Sequence, residues 1–340
     1  MEFGKFVAAF YFWHTMDLSV VIPTWKGQRL LEAYLPSVDA AVREYRQPGG
    51  REAEIIVVED AGGDSTPRWL HDSHPGIRLI EHDQNRGFCA ACQSGFQAAR
   101  FPLVLLLNND VRLKPGCIAP MAGHFTDASV FAVTGKLLNQ AEDLLCNGGK
   151  VARFRRGMWS TYQNYDVIPG AETAQPLLSF TAIGAFSLYD RAKFLDIGGF
   201  DPLAAMVEDV ELSYRAWKRG WLVRYEPRSV ACHDASQTMD RRYRRRSLDK
   251  VSRRSRILMH WMLLHDPQMF RMHQLSIAAR LLTSWLALDY RFYWAIATGL
   301  ANLPAILEKR RAARKTMERT DRDLLDMLQH FYRTAPIVFH

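Results

Sequence analysis

The sequence predicts an α/β fold: a mostly parallel sheet flanked by helices, with a helical C-terminal appendage. Three observations predict it. Short β-branched runs alternate with helix-length amphipathic segments through the first half, the pattern of parallel strands joined by crossover helices. Acids and amides follow the ends of the predicted strands, where ligands bind in sheets of this kind. Beyond about residue 240 the pattern turns helical, first basic and then apolar with Trp261, Trp285 and Trp294.

The first strand, Leu18–Ile22, runs into Pro23, Thr24 and Trp25, and a helix follows over Gln28–Tyr45. A second strand, Glu54–Val58, leads to Glu59, Asp60 and a glycine-containing turn ending at Asp64. The third helix–strand set comprises a helix over Ser65–Asp72 and a strand over Ile77–Glu81, after which Asn85, Arg86 and Gly87 open a helix over Phe88–Ala99. The fourth strand, Leu103–Leu107, ends on Asn108, Asn109 and Asp110. Residues 139–178 read as a polar excursion, a hairpin or mobile loop, and Phe180–His233 returns to strand, helix and strand. The expected division is an α/β domain over residues 17–238 and a basic, amphipathic helical region over 239–340.

At 340 residues and 48% hydrophobic content the chain can bury a full core, which excludes disordered and fibrous classes. Its five cysteines are an odd number without framework spacing, which fits reduced thiols in a cytoplasmic setting. Cys89 and Cys92 are expected to pack on one helix face. The net charge of +8 is local, because residues 241–256 hold nine Arg/Lys against Asp249 alone. Met1–Thr15 is apolar but lacks a basic start and a cleavage site, and Met16 is an alternative natural start. No uncharged stretch reaches the ~18 residues of a spanning helix, Phe292–Leu307 coming closest, so no transmembrane segment is expected.

The turn after Leu105-Leu106-Leu107 offers oxygen donors on a short rigid segment, which suits hard divalent ions such as Mg²⁺ or Mn²⁺. In chain order stand Ser19-Val-Val-Ile-Pro-Thr-Trp25, Val57-Val-Glu-Asp60 with Asp64-Ser-Thr66, Asn85-Arg-Gly87, Leu107-Asn-Asn-Asp110, Gly198-Gly-Phe-Asp201 and Glu208-Asp-Val-Glu-Leu212. Together they resemble the family 2 glycosyltransferases over roughly residues 17–235. The resemblance implies the GT-A fold, a Rossmann-like sheet flanked by helices, and inverting transfer of a sugar from a nucleotide-diphosphate donor to an acceptor hydroxyl.

Residue by residue, the resemblance implies that Asp110 is the last acid of the family's Asp-x-Asp metal motif, whose first position is Asn108 here. Pro23, Thr24, Trp25, Glu59, Asp60, Asn85, Arg86, Gly87, Asn108 and Asn109 then fall on the donor side. The family usually has Asp where Glu59 stands, so either acid could contact the base, and free amides at Asn85–Gly87 could face the nucleotide. Asp209 corresponds to the base that removes the acceptor proton, with Glu208 and Gly184 on the acceptor side. His233 matches a histidine that completes the metal site in several relatives. The stretch from Gly184 to Asp209 is most similar to bacterial rhamnosyltransferases of surface-polysaccharide assembly, implying a dTDP-linked or UDP-linked donor and a glycan or lipid-linked acceptor.

Two other classes remain open at this level, a nucleotidyltransferase and a non-catalytic sugar-nucleotide sensor. The first should carry a glycine-rich loop with lysine after its first strand, whereas Pro23–Gln28 holds a single glycine; a sensor needs no base. No RNA-binding motif accompanies the arginines, so nucleic acid is not an expected partner. The basic segment and the apolar helices after it predict attachment to an anionic membrane surface, at the inner face of the plasma membrane, with a homodimer as the competing expectation.

Overall fold

A computed structural model describes residues 16–47, 50–173, 175–234 and 245–340. Met1–Thr15 and the arginines Arg241, Arg242 and Arg244 lie outside the described residues. The chain divides into two compact units that interleave in sequence: Met1–Gly148 with Ala182–Gly199 and Arg224–Ala235, and Gly149–Thr181 with Phe200–Val223 and Ser236–His340.

The first unit opens with β1 (Leu18–Thr24), α1 (Gln28–Arg46), β2 (Ala53–Glu59), α2 (Thr66–Ser73), β3 (Arg78–Glu81), α3 (Phe88–Ala98) and β4 (Leu103–Leu107). It continues through β5 (Val111–Leu113), α4 (Ile118–Gly123), β6 (Val130–Leu138) and β7 (Leu145–Asn147). The next strands, β8 (Gly149–Lys150), β9 (Arg153–Arg155), β10 (Met158–Ser160), β11 (Asn164–Val167) and β12 (Leu177–Leu178), belong to the second unit. The chain returns to the first with β13 (Phe186–Asp190) and α5 (Arg191–Asp196). After α6 (Glu208–Lys218) of the second unit comes β14 (Leu222–His233), whose residues from Arg224 on belong to the first.

Every residue of β1 and β4 is buried, which is why these strands read as unbroken apolar runs rather than alternations. One face of α1 carries Leu31, Leu35, Val38, Val42 and Tyr45 into the core beside them. The strand order is β14-β6-β13-β4-β1-β2-β3. β1 pairs in parallel with β2 and β4, and β2 with β3, whereas β13 runs antiparallel to both β4 and β6. The sheet is therefore mixed. Its parallel half is the part built from helix-linked strands, since a parallel neighbour needs a long crossover that the later strands lack. The parallel arrangement sets the carboxyl ends of β1, β2 and β4 side by side.

Within residues 139–178, the part that belongs to the second unit holds a hairpin and further short strands. β9 and β10 form a tight hairpin whose turn residues Arg156 and Gly157 have φ of 50° and 75°, the sign a two-residue turn of this twist requires. β11 pairs with β8 on one side and with β15 (Ile337–Phe339) at the far end of the chain on the other. Trp159 is buried, stacked on Phe180 and edge-on to Tyr214, and its amide donates to His260 Nε2 at 2.8 Å.

Helices α7 (Arg245–Leu263), α8 (Pro267–Leu286), α9 (Tyr290–Ala301), α10 (Leu303–Lys315) and α11 (Asp321–Thr334) make up the helical C-terminal region. Asp321 ties it to α6, because its buried carboxylate accepts from Lys218 Nζ (2.6 Å), the Tyr214 hydroxyl (2.5 Å) and the amides of His265 and Asp266 (both 2.7 Å). Among the described residues no helix is long and apolar enough to cross a membrane. Cys92 is buried on α3 and Cys89 is half-buried.

Candidate active site

The sheet gathers the strand-end residues of the first unit. Thr24 stands opposite Glu59 in the β1–β2 register, and the amide of Asp60 donates to the Thr24 carbonyl at 2.9 Å. From the end of β4, Asn109 Nδ2 donates to Thr24 Oγ1 at 2.7 Å in a buried contact. A Cβ on Gly27 would lie 1.9 Å from that Thr24 oxygen and 2.6 Å from Asn109 Nδ2, so only glycine fits beside the pair. Pro23 is buried within β1, while Trp25 is half-buried with Lys26 Nζ over its ring at 4.9 Å. Asn108 is held by its amide, which donates to the Ala185 carbonyl at 3.0 Å.

The two neighbouring acids have different surroundings. The Asp60 carboxylate accepts from the amides of Arg86 (2.8 Å) and Gly87 (2.7 Å) and from His82 Nδ1 (2.8 Å), and His82 Nε2 meets Ser94 Oγ at 2.9 Å. Asn85 Nδ2 donates to the Asp60 carbonyl. The amides at the start of α3 are therefore not the free cluster that the sequence suggested; two of them already serve the Asp60 carboxylate. Gly87 has φ of 86°, which a side-chain-bearing residue would resist, and the turn of Asn85–Gly87 rests on it. The Arg86 side chain is exposed. Glu59 receives the Gly62 amide at 2.8 Å, and burial is the main cause that pushes its carboxyl up from the usual range.

Asp110 and His233 meet at the adjoining edge. His233 Nε2 lies 3.2 Å from Asp110 Oδ1, with both side chains largely shielded from solvent. The next residue, Asp234, donates its amide to the Asp110 carbonyl at 3.0 Å and accepts from the Tyr34 hydroxyl of α1 at 3.3 Å. Burial, then the charge of Asp234, pushes the Tyr34 phenol up. Among the described residues no three His, Cys, Asp or Glu side chains gather to hold an ion. Among the described residues Asp110 and His233 thus offer a carboxylate and an imidazole, a set that fits a hard divalent ion completed by diphosphate oxygens and water. Gly184 precedes β13, and a Cβ there would meet the Phe88 ring at an ordinary 3.6 Å.

In the second unit, Glu208, Asp209 and Glu211 lie in the first turn of α6, where acids suit the helix dipole. Glu211 has a structural partner, since both its oxygens accept from Arg215 at 2.6 and 2.7 Å. Glu208 is otherwise placed: its Oε2 is buried with no hydrogen-bond partner among the described residues, and burial followed by the charge of Asp209 pushes its carboxyl up to about 7. Asp209 Oδ1 accepts the Val210 amide at 2.7 Å. Two cations answer its charge, Lys150 of β8 and Arg256 of α7, each lowered by burial and raised by Asp209. The Arg256 guanidinium covers the Tyr162 ring at 4.1 Å. Sequence reasoning missed Tyr34 and Lys150, neither of which sits in a motif, and counted Arg256 only as part of the basic segment.

Residues 19–198, more than half of the chain, match the family described as Glycosyl transferase family 2. The chain belongs to that family. Among family 2 relatives, a pre-mycofactocin glycosyltransferase of Mycobacterium tuberculosis is 26% identical over 222 residues, 64% of this chain and 43% of that protein. The chain thus spans about two fifths of that relative's length. An N-acetylglucosaminyl-diphospho-decaprenol L-rhamnosyltransferase of the same organism is 27% identical over 255 residues, 66% of this chain and 78% of that one. Two solved structures share the architecture. GalNAc-T7 with UDP, GalNAc and Mn²⁺ superposes with a TM-score of 0.57 at 17% identity over 74% of this chain and 48% of that one. S. aureus TarS in complex with UDP-GlcNAc gives 0.54 at 14% identity over 93% and 91%. The fold is GT-A, and family membership sets aside the nucleotidyltransferase reading.

Proposed function

We propose that this family 2 protein is a metal-dependent, inverting glycosyltransferase. It moves a sugar from a dTDP-linked or UDP-linked donor to a hydroxyl of a glycan or lipid-linked acceptor in cell-surface polysaccharide synthesis. The observation that carries the reading is the Asp110–His233 contact beside the buried Thr24–Asn109 pair, a donor site with two metal-competent side chains at its edge. The relative named for a decaprenol-diphosphate-linked substrate supports a lipid-linked acceptor.

In this reading Asp110 and His233 hold Mg²⁺ or Mn²⁺, which when bound offsets the charge growing on the departing diphosphate. Thr24, Asn109 and Glu59 shape the nucleoside side, while Asp60 fixes the Asn85–Gly87 turn from beneath. Asp209 takes the proton from the acceptor hydroxyl as its oxygen bonds to the anomeric carbon, and the nucleoside diphosphate leaves from the opposite face with the bonding electron pair. Lys150 and Arg256 answer the charge of Asp209. Glu208, neutral up to about pH 7, can donate a hydrogen bond to the acceptor at the same time, so two adjacent acids take different roles. The basic segment from residue 241 holds the enzyme at the inner, anionic face of the plasma membrane, where a lipid-linked acceptor resides.

The test is thermal stabilisation by UDP-, dTDP- and GDP-sugars with Mn²⁺ or Mg²⁺, followed by NMR of the product formed with the best donor. Metal-dependent stabilisation by one class and an inverted anomeric centre are expected. Indifference to every sugar nucleotide in the presence of either ion, or a retained centre, overturns the reading.

A further inference from the structure

Helices α8 and α9 form a hairpin that packs through one face and leaves its end bare. Phe292 and Ala295 of α9 join Ile257 of α7 in a small core, with Ile277, Leu281, Trp261 and Trp294 packed around it. Past that core the turn exposes Leu282 (76%), Trp285 (71%), Leu286 (77%), Leu288 (83%) and Tyr290 (67%). Isolated exposed leucines need no explanation, but a contiguous apolar end on a packed hairpin marks an interaction surface.

The backbone makes Leu288 harder to dismiss. The amide of Asp289 donates to the Ser284 carbonyl at 2.9 Å and that of Leu288 to Trp285 at 3.2 Å, so α8 closes with Leu288 in the left-handed region at φ of 49°. Glycine or asparagine is the usual occupant of that position. A leucine there carries backbone strain and exposes an apolar side chain, two costs that a partner contacting the side chain would offset.

The polar groups at this end are answered from within. Asp289, the sole acid between residues 281 and 290, is held by Arg253 Nη1 at 2.9 Å, with Arg280 Nη2 at 3.7 Å. The Thr283 hydroxyl donates to the Ala279 carbonyl at 3.2 Å, the Tyr293 hydroxyl to the Leu281 carbonyl, and Ser284 is buried. Behind the apolar end stand basic side chains set against aromatic rings, Lys250 over Trp294 at 4.0 Å and Arg280 over Phe292 at 4.9 Å. Residues 245–301 carry nine Arg/Lys against three acids. An apolar end with internally satisfied polar groups and a cationic collar complements an anionic bilayer: acyl chains meet the leucines, phosphates meet the collar. A tryptophan and a tyrosine at the border suit the headgroup zone.

We propose that the α8–α9 turn, through Leu282, Trp285, Leu286, Leu288 and Tyr290, inserts into the interfacial zone of an anionic lipid bilayer. The proposal rests on the membrane reading above and sharpens it from electrostatic contact to a named inserting element. Since α8 cannot span, insertion is shallow and on one leaflet.

The full-length protein is tested on vesicles of phosphatidylcholine with phosphatidylglycerol, and of phosphatidylcholine alone, with acyl chains brominated in parallel samples. Bromine should quench wild-type fluorescence more than that of Trp285→Phe, which retains apolar area and loses that fluorophore. The combined variant Trp285→Ser, Leu286→Ser, Leu288→Gly should bind anionic vesicles at least about tenfold more weakly, with a melting temperature no lower than that of the wild type and unchanged activity on a soluble acceptor. Equal quenching in Trp285→Phe and undiminished binding by the combined variant would overturn insertion and leave electrostatic attachment standing. Failure of the wild type to bind either vesicle would overturn both. A dimer that the combined variant disperses, with no vesicle binding, would assign the surface to a second copy of the chain and overturn the proposal.

Discussion

His233 Nε2 stands 3.2 Å from Asp110 Oδ1, joining the last residue of β14 to the turn that follows β4. Asp234 and Tyr34 brace the contact from the other side. A carboxylate and an imidazole at this separation can share an ion with little movement, yet two protein donors fill only part of an octahedral shell. Metal and nucleotide should therefore bind as a pair, each tightening the other.

Asp110→Ala is expected to remove most turnover, and His233→Ala to weaken Mn²⁺ by at least about tenfold, the scale on which ligand support acts in metal sites. Excess Mn²⁺ should recover activity in the histidine variant. Mn²⁺ binding followed by electron paramagnetic resonance, with and without nucleoside diphosphate, reads affinity apart from catalysis. Full activity in excess chelator would remove the metal role altogether.

Asp209→Asn should lower kcat by roughly two to four orders of magnitude, the range of general-base catalysis, with donor binding nearly unchanged. Asparagine keeps the oxygen that accepts the Val210 amide, so the start of α6 should persist. Lost donor binding with intact kcat would show that the residue had been given the wrong task.

Glu208 makes stability depend on pH in a definite direction. Its carboxyl is pushed from 4.5 to about 7 in the folded protein, chiefly by burial, so between those values the folded state binds the extra proton. The contribution is fully present below about pH 4.5 and is lost as pH rises through about 7, on the order of 3 kcal/mol in all. Glu208→Gln cannot ionise. Its melting temperature should exceed that of the wild type at pH 8 and converge with it at pH 4.5, and parallel curves would show that the carboxyl is not displaced.

Three of the four helix-linked strands, β1, β2 and β4, were legible because they are buried almost throughout, which writes each as a largely apolar run, while β3 is partly exposed; the ends of all four fall within two residues of the expectation. The motifs at those ends were legible for the same reason, since a strand fixes where the following turn begins. Beyond the hairpin expected within residues 139–178, the surroundings of β8 to β11 were not legible, because their other partners are remote: β15 completes one sheet and His260 receives the Trp159 amide. No local pattern reports such pairings. Lys150 illustrates the limit, since a single lysine in a short strand gains meaning only when folding sets it near Asp209.

Glu59 and Asp60 were indistinguishable as base-contacting acids in the sequence, and their hydrogen bonds differ. The Asp60 carboxylate is occupied by His82 and two amides, which leaves it little capacity for a ligand, while Glu59 has the Gly62 amide on one oxygen. Asp60→Ala would leave three part-buried donors without their acceptor at about 1 kcal/mol each, so a loss of roughly 3 kcal/mol in stability is expected. Donor KM should rise along with it, because the Asn85–Gly87 turn loses its anchor. Glu59→Gln keeps an acceptor for Gly62 and should cost under about 1 kcal/mol, yet it should still weaken the donor, since a carboxylate that pairs with an imide N–H of uracil or thymine accepts more strongly than an amide. Urea unfolding and donor titration on both variants distinguish the roles. A destabilised Glu59→Gln together with a stable Asp60→Ala that has lost the donor would exchange them.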